Sequence, residues 1–311
     1  MTCMASGRPG PSDERPVRNS GINTSLLALL AILAGCWGDG STARAVQSGD
    51  RTEATATSAD GVSIAYETLG AGTPALVFVH GWSCDRSYWE GQLEPFSRDF
   101  LVVALDLAGH GESGMDREEW TIRSYGADVA TVVEVLELDR VILIGHSMGG
   151  DVVVDAARLL PGRVVGMVWV DTYSQLGRVR TPDQVEAFLA PLRADFADGT
   201  YTFVRRNLFP PTADPALVER VASDMASAPQ EIALASLESS ITNDRVVPGA
   251  LEELDVPVVS LNPARSNPDV ASLERHGVEV ILVPDVAHFM MMEDPAAFNA
   301  ILREVVEGLL R

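Results

Sequence analysis

Val141-Ile142-Leu143-Ile144 runs directly into Gly145-His146-Ser147-Met148-Gly149-Gly150, and this stretch decides how the rest of the chain is read. An aliphatic run with no alternation reads as a strand buried on both faces. The residues after it, Asp151 to Leu160, carry a helical pattern. Ser147 therefore sits in a tight turn between a strand and a helix. Glycines two residues to either side let neighbouring backbone pass where a Cβ would clash, and the serine itself is held in a strained turn. The helix that follows directs free N–H groups and its positive dipole end at the point where an oxyanion would develop. A bare Gly-x-Ser-x-Gly is common. Its place between a buried strand and a helix marks Ser147 as a nucleophile.

Working outward, further aliphatic runs of the same character appear at Ala75–Val79, Leu101–Leu105 and Val165–Val170, and two more at Val256–Leu261 and Val278–Val283. Between them lie helix-like stretches, notably Ile122–Leu138. Strand–helix–strand repetition predicts an α/β chain with a mostly parallel sheet covered by helices. Gly61–Glu67 alternates apolar and polar residues and is expected to form an antiparallel edge hairpin. Asp294-Pro295 reads as the N-cap and first position of a final helix. From Thr172 to Glu253 the rhythm breaks into helical patterns, such as Asp183–Phe196 and Ala216–Met225, punctuated by Pro210-Pro211. The expected organisation is a core of residues 58–171 and 254–311, with a helical cap of residues 172–253 inserted between two sheet strands.

The chain has 311 residues, 46% of them hydrophobic, which suffices for one large core. Its formal net charge is −21, and all 23 cationic side chains are arginine. That balance argues against nucleic acid as a partner and against adsorption to anionic lipid. The acidity is read as solubility of an exported protein.

The first 57 residues differ from the rest. Leu26 to Ala34 reads LLALLAILA and is followed by Gly35-Cys36. The run is too short for a stable membrane span, which needs about 20 apolar residues, and suits the h-region of a secretory signal. Leu33-Ala34-Gly35-Cys36 resembles the lipobox of bacterial lipoproteins. By that resemblance residues 1–35 are a signal peptide and Cys36 becomes the lipidated N-terminus of a cell-envelope protein. The alternative is cleavage after Ala43-Arg44-Ala45, giving a secreted or periplasmic protein. Residues 36–57, rich in Gly, Ser, Thr and Ala, are expected to be a flexible tether. Of three cysteines, Cys3 falls in the removed segment and Cys36 carries lipid, which leaves Cys84 as a buried thiol that serves packing.

From about Asp60 to its end the chain resembles the α/β-hydrolase superfamily, in its cap-bearing esterase and peroxidase-like branch. Gly145 to Gly149 matches the family's nucleophile elbow. His80-Gly81-Trp82 falls where the family has its oxyanion loop, and Asp106-Leu107-Ala108-Gly109-His110-Gly111-Glu112-Ser113 where it has a D-x-x-G-x-G-x-S turn. The resemblance implies an oxyanion hole made by the backbone N–H groups of Trp82 and Met148. It also implies chemistry that needs neither cofactor nor metal.

Of five histidines, His80 and His110 lie in glycine turns, His146 precedes the nucleophile with its side chain directed away from the serine, and His276 ends a helix. His288, in the loop after Val278–Val283, is left as the general base. This is also where the superfamily keeps its histidine, and it satisfies the order Ser, acid, His. The usual family position for the acid, after Val256–Leu261, reads Asn262-Pro263-Ala264-Arg265-Ser266-Asn267-Pro268-Asp269 and has no carboxylate in the expected slot. Asp171, at the carboxyl end of Val165–Val170, is the preferred acid, since some superfamily members carry theirs there. Asp269 is the alternative, and a third reading takes neither. Candidate pocket walls are Trp82, Trp89, Phe188, Phe203, Phe209 and Met290–Met292. The expected activity is hydrolysis of a small-molecule carboxylic ester or related acyl bond through an acyl-enzyme. Lactone hydrolysis and cofactor-free perhydrolysis remain open within the enzyme class. A binding protein on a retained hydrolase fold is the alternative outside it.

Overall fold

The computed structural model describes residues 50–311. Eight strands form one sheet: β1 (Thr52–Thr57), β2 (Ser63–Leu69), β3 (Ala75–Val79), β4 (Val102–Leu105), β5 (Val141–His146), β6 (Val164–Val170), β7 (Val258–Pro263) and β8 (Val278–Val283). Their spatial order is β1-β2-β4-β3-β5-β6-β7-β8. β2 pairs antiparallel with β1 and β4, and every pairing from β4 to β8 is parallel. β3, β4 and β5 are buried along their whole length, as strands covered on both faces must be. Their valine, leucine and isoleucine side chains bring the shape and hydrophobicity that this burial requires.

The helices are α1 (Glu90–Ser97), α2 (Ile122–Val135), α3 (Met148–Leu159), α4 (Pro182–Ala194), α5 (Phe196–Asn207), α6 (Pro215–Ala226), α7 (Gln230–Asn243), α8 (Val247–Leu254), α9 (Val270–Glu274), α10 (Met290–Glu293) and α11 (Pro295–Leu309). α2 packs on α3, and α1 on α11, so that the sheet is flanked by helices. Local chemistry sets many of the starts. Thr121 and Ser124 form a capping box at α2, and Thr181 and Gln184 form another at α4. Asp294 caps α11 by accepting the Ala297 N–H at 3.0 Å, with Pro295 at the first position. Helices α4 to α8 all fall between β6 and β7 in the chain.

One expectation changes and another is met. Residues 52–57 are not tether but the edge strand β1, in register with β2 from Thr52 opposite Thr68 to Thr57 opposite Ser63. Thr-Glu-Ala-Thr-Ala-Thr has too little hydrophobicity to announce a strand. An edge strand, however, needs main-chain pairing more than burial, and threonine favours the extended backbone. The expected antiparallel edge hairpin is present, with β1 as its outer arm and β2 as its inner arm, joined by a turn in which the Ser58 N–H donates to the Val62 carbonyl at 2.8 Å. The apolar run at residues 26–34, Cys36 and the remainder of the proposed tether up to residue 49 lie outside the described residues.

The junction of β5 and α3 is the tightest point of the sheet. A Cβ on Gly145 would strike the Gly149 carbonyl, and one on Gly149 would stand 2.5 Å from the Val79 oxygen and 2.6 Å from the His80 oxygen. These neighbours are backbone and have little room to give. Gly145→Ala is therefore expected to lower folding stability by about 3 kcal/mol or more, read as an earlier midpoint in urea denaturation. An unchanged midpoint would contradict this reading of the turn.

Candidate active site

Ser147 holds φ 52° and ψ −121°, a positive-φ backbone that a non-glycine residue keeps only when its surroundings over-determine it. Its amide donates to the Val170 carbonyl at 2.9 Å, which ties the turn to the end of β6. The segment after β3 passes beside it, since a Cβ on Gly81 would lie 3.2 Å from Ser147 Cβ. Trp82 follows, and its indole Nε1–H donates to the Ala233 carbonyl of α7 at 2.7 Å. Met148 is the first residue of α3, so its amide is one of those a helix leaves without an internal acceptor.

His288 lies in the loop between β8 and α10, and its Nδ1 is 2.6 Å from Asp171 Oδ2. Both side chains are largely shielded, at 16% and 18% exposure. With Nδ1–H donating to the carboxylate, Nε2 is the nitrogen left to accept a proton. Asp171 directly follows β6 at φ 46° and donates its amide to the Leu261 carbonyl at 2.8 Å, so β7 fixes its direction. Asp269 has a different task. Its carboxylate accepts the Ser272 N–H at 3.0 Å as the N-cap of α9. The structure thus brings the carboxylate of Asp171, not that of Asp269, to the imidazole.

Three other histidines, His80, His110 and His146, are held by neighbours. His80 donates Nδ1–H to the Gly81 carbonyl at 2.8 Å and accepts the Leu107 N–H on Nε2 at 2.9 Å, which fixes one neutral tautomer. Burial pulls its pKa down to about 4, and that of His110 to about 3. His146 is also buried, with its pKa well below the ordinary value, and its Nε2–H donates to the His288 carbonyl at 2.9 Å. The Asp106 to Ser113 turn is structural. The Asp106 carboxylate accepts the Arg86 and Glu112 amides at 2.7 and 2.9 Å and pairs with the Arg86 guanidinium, and Ser113 Oγ–H returns to the Asp106 carbonyl at 2.6 Å.

Beside Ser147 and His288 lies an apolar pocket of about 150 Å³. Of the walls expected from sequence, Trp82, Phe188 and Phe203 line it, with Phe188 42% exposed. Trp89 is instead core between Phe78 and Phe298, Phe209 stacks on Phe289 at 5.1 Å, and Met290 and Met291 are buried away from the pocket. His146, Cys84, Leu192, Leu208, Met225, Leu237 and Phe289 complete the lining, and no spacing in the sequence announced them as pocket walls. The Cys84 thiol donates to the Trp82 carbonyl at 3.3 Å, and burial pushes its pKa up, so it stays protonated. Among the described residues no cluster of side chains suits a metal ion, and no helix is long and apolar enough to cross a membrane.

Residues 76–301 match the model of the alpha/beta hydrolase family. The chain belongs to that family. Over 156 residues it is 36% identical to a non-heme chloroperoxidase of Streptomyces lividans, covering 46% of this chain and 56% of that protein. The chain spans about half or less of the length of the first curated relatives it matches. It is 26% identical over 262 residues to 3-oxoadipate enol-lactonase 2 of Acinetobacter baylyi, covering 80% and 95% of the two chains. Among solved structures it is similar to a thermophilic esterase from Thermogutta terrifontis, with a TM-score of 0.71, 25% identity, and coverage of 84% of this chain and 99% of that one.

One further carboxylate sits on α3, a helical turn after Ser147. Asp151 is buried and accepts hydrogen bonds from Ser240 Oγ at 2.7 Å and Asn243 Nδ2 at 3.2 Å, both on α7, and pairs with the Tyr173 hydroxyl. Burial pushes its pKa up to about 7, the nearby Asp244 adds to the rise, and the three hydrogen bonds oppose it. The unfolded chain gives up this proton near pH 4, whereas the folded protein keeps it until about 7. The folded state thus binds the extra proton, and this contribution to stability is lost as pH rises between those values and is level above them. Wild type should lose thermal stability between pH 5 and 8 more steeply than Asp151→Asn, measured by melting temperature across that range. Equal slopes would show that Asp151 does not titrate there.

Proposed function

We propose that the protein is a serine hydrolase that cleaves carboxylic esters of small apolar acyl groups, with Ser147, His288 and Asp171 as its triad. The observation that carries this reading is the 2.6 Å contact of Asp171 Oδ2 with His288 Nδ1 beside a serine at a strand–helix elbow. Ser147 Oγ attacks the ester carbonyl while His288 Nε2 takes its proton. Asp171 holds the imidazole in the required tautomer and stabilises the imidazolium. The developing oxyanion is met by the backbone N–H groups of Trp82 and Met148. Return of the proton to the alkoxide expels the alcohol and leaves an acyl-enzyme. Water, deprotonated by His288, then releases the acid and restores Ser147.

A pocket of about 150 Å³ with apolar walls matches a group of roughly benzene size. The lining contains no arginine, aspartate or glutamate, so anionic substrates gain nothing there. An acyl-chain series of p-nitrophenyl esters should therefore peak at short to medium chains or benzoyl and fall for long ones. In the preferred ester, Asp171→Asn should lower kcat by about 10³ to 10⁴, whereas Asp269→Asn should leave it nearly unchanged. The reverse pattern would move the acid to Asp269. A wild-type protein that binds these esters without turnover would favour the binding-protein reading.

A second reaction class is supported by the identity with the Streptomyces chloroperoxidase segment. The same acyl-enzyme opened by hydrogen peroxide instead of water would give a peracid, and a peracid assay run beside the ester series separates the two.

The lipobox-like Leu33-Ala34-Gly35-Cys36 supports placement of the enzyme on a membrane of the cell envelope through lipid on Cys36. Cys36→Ser should release the protein from the membrane fraction. Continued membrane association of that variant would count against lipidation.

A further inference from the structure

The side chain of His288 is held by Asp171, but an imidazole can only be aimed as well as the main chain that bears it. That main chain lies in a loop, where fixed geometry needs an identifiable cause. The His288 N–H donates to the Leu208 carbonyl at 3.2 Å, and its carbonyl accepts the His146 Nε2–H at 2.9 Å. The residues on either side are held by one group. The Glu293 carboxylate accepts the Ala287 N–H at 3.0 Å on Oε2 and 3.1 Å on Oε1, and the Phe289 N–H at 3.1 Å on Oε1. The Glu293 amide in turn donates to the Phe289 carbonyl at 2.8 Å, which closes a ring.

We propose that Glu293 is a positioning residue for the base, its carboxylate clamping the two amides that flank His288 so that Nε2 stays directed at Ser147. The proposal rests on the Ser147–His288–Asp171 reading above and adds a residue to it. Helix stability does not account for Glu293. It ends α10, where a negative charge opposes the helix dipole, and the following helix already has Asp294 as its cap. Half-burying a carboxylate carries a desolvation cost, which here is offset by charge-assisted bonds from two amides. Burial indeed pushes the Glu293 pKa up, while those amides and the charges of His288 and Arg265 draw it back. The same carboxylate therefore favours the imidazolium that forms during catalysis.

The test compares Glu293→Ala with Glu293→Gln, which keeps the volume and one neutral acceptor. A misplacement of the order of 1 Å costs up to about 10² in rate. On the preferred ester, kcat should fall about 10- to 100-fold in Glu293→Ala and about 3- to 10-fold in Glu293→Gln, with KM within about twofold. A readout independent of turnover is the low-field proton resonance of His288 Nδ1–H, assigned by its loss in Asp171→Asn. It should broaden or vanish in both Glu293 variants. If Glu293→Ala does not fold, Glu293→Gln alone carries the test. Wild-type kcat and an unchanged resonance in folded Glu293→Gln would overturn the proposal. If wild type turns over no ester, the hydrolase reading fails, while the resonance still decides whether Glu293 positions His288.

Discussion

A hydrogen bond of 2.6 Å joins a carboxylate at the end of β6 to an imidazole in the loop after β8, across 117 residues of sequence. For the bond to form, β7 must separate the two strands in the sheet, Asp171 must hold φ 46°, and the histidine loop must fold back over the sheet edge. Each condition is met by main-chain hydrogen bonding rather than by the Ser147, His288 and Asp171 side chains themselves. The Asp171 amide is tied to Leu261, the Ser147 amide to Val170, and the His288 amide to Leu208. Strain at Ser147 and Asp171 is thus carried by β5, which is buried throughout, and β6, which is buried at every residue but Val165, so there is little freedom to relax.

The helices between β6 and β7 do more than roof the pocket. The indole of Trp82 is anchored on Ala233 of α7, Tyr88 Oη–H donates to Asp224 of α6 at 2.6 Å, and Asp151 of α3 meets Ser240 and Asn243. The Leu208 carbonyl, at the end of α5, accepts the His288 amide at 3.2 Å. The proposed oxyanion loop, nucleophile helix and base are therefore each in polar contact with the same insert, so a substitution in the insert can alter reaction rate as well as pocket shape.

Much of the fold was legible in the sequence because it rests on local signals. The unbroken aliphatic runs betray a sheet covered on both faces, and Gly145 to Gly149 betrays the strand–helix turn. Elimination and chain order propose His288 as the base, a strand end proposes Asp171 as the acid, and the structure places these two side chains 2.6 Å apart. The edge strand at Thr52–Thr57 was missed because its stability comes from backbone pairing, which leaves almost no hydrophobic trace. Trp89 and Phe209 were misplaced as pocket walls because composition cannot say on which side of a sheet or helix a ring will settle. Glu293 was invisible for a further reason. Its role depends on a carboxylate reaching back to amides of a loop, and a glutamate ahead of Asp294-Pro295 reads as an ordinary helix end.

The claim on which the account depends is that His288 activates Ser147 as a nucleophile. Labelling with a fluorophosphonate at neutral pH, followed by peptide mass spectrometry, tests it most directly. The account predicts one adduct, on Ser147, absent in Ser147→Ala and formed far more slowly in His288→Ala. A folded wild-type protein that takes no label, or takes it on another serine, would contradict it.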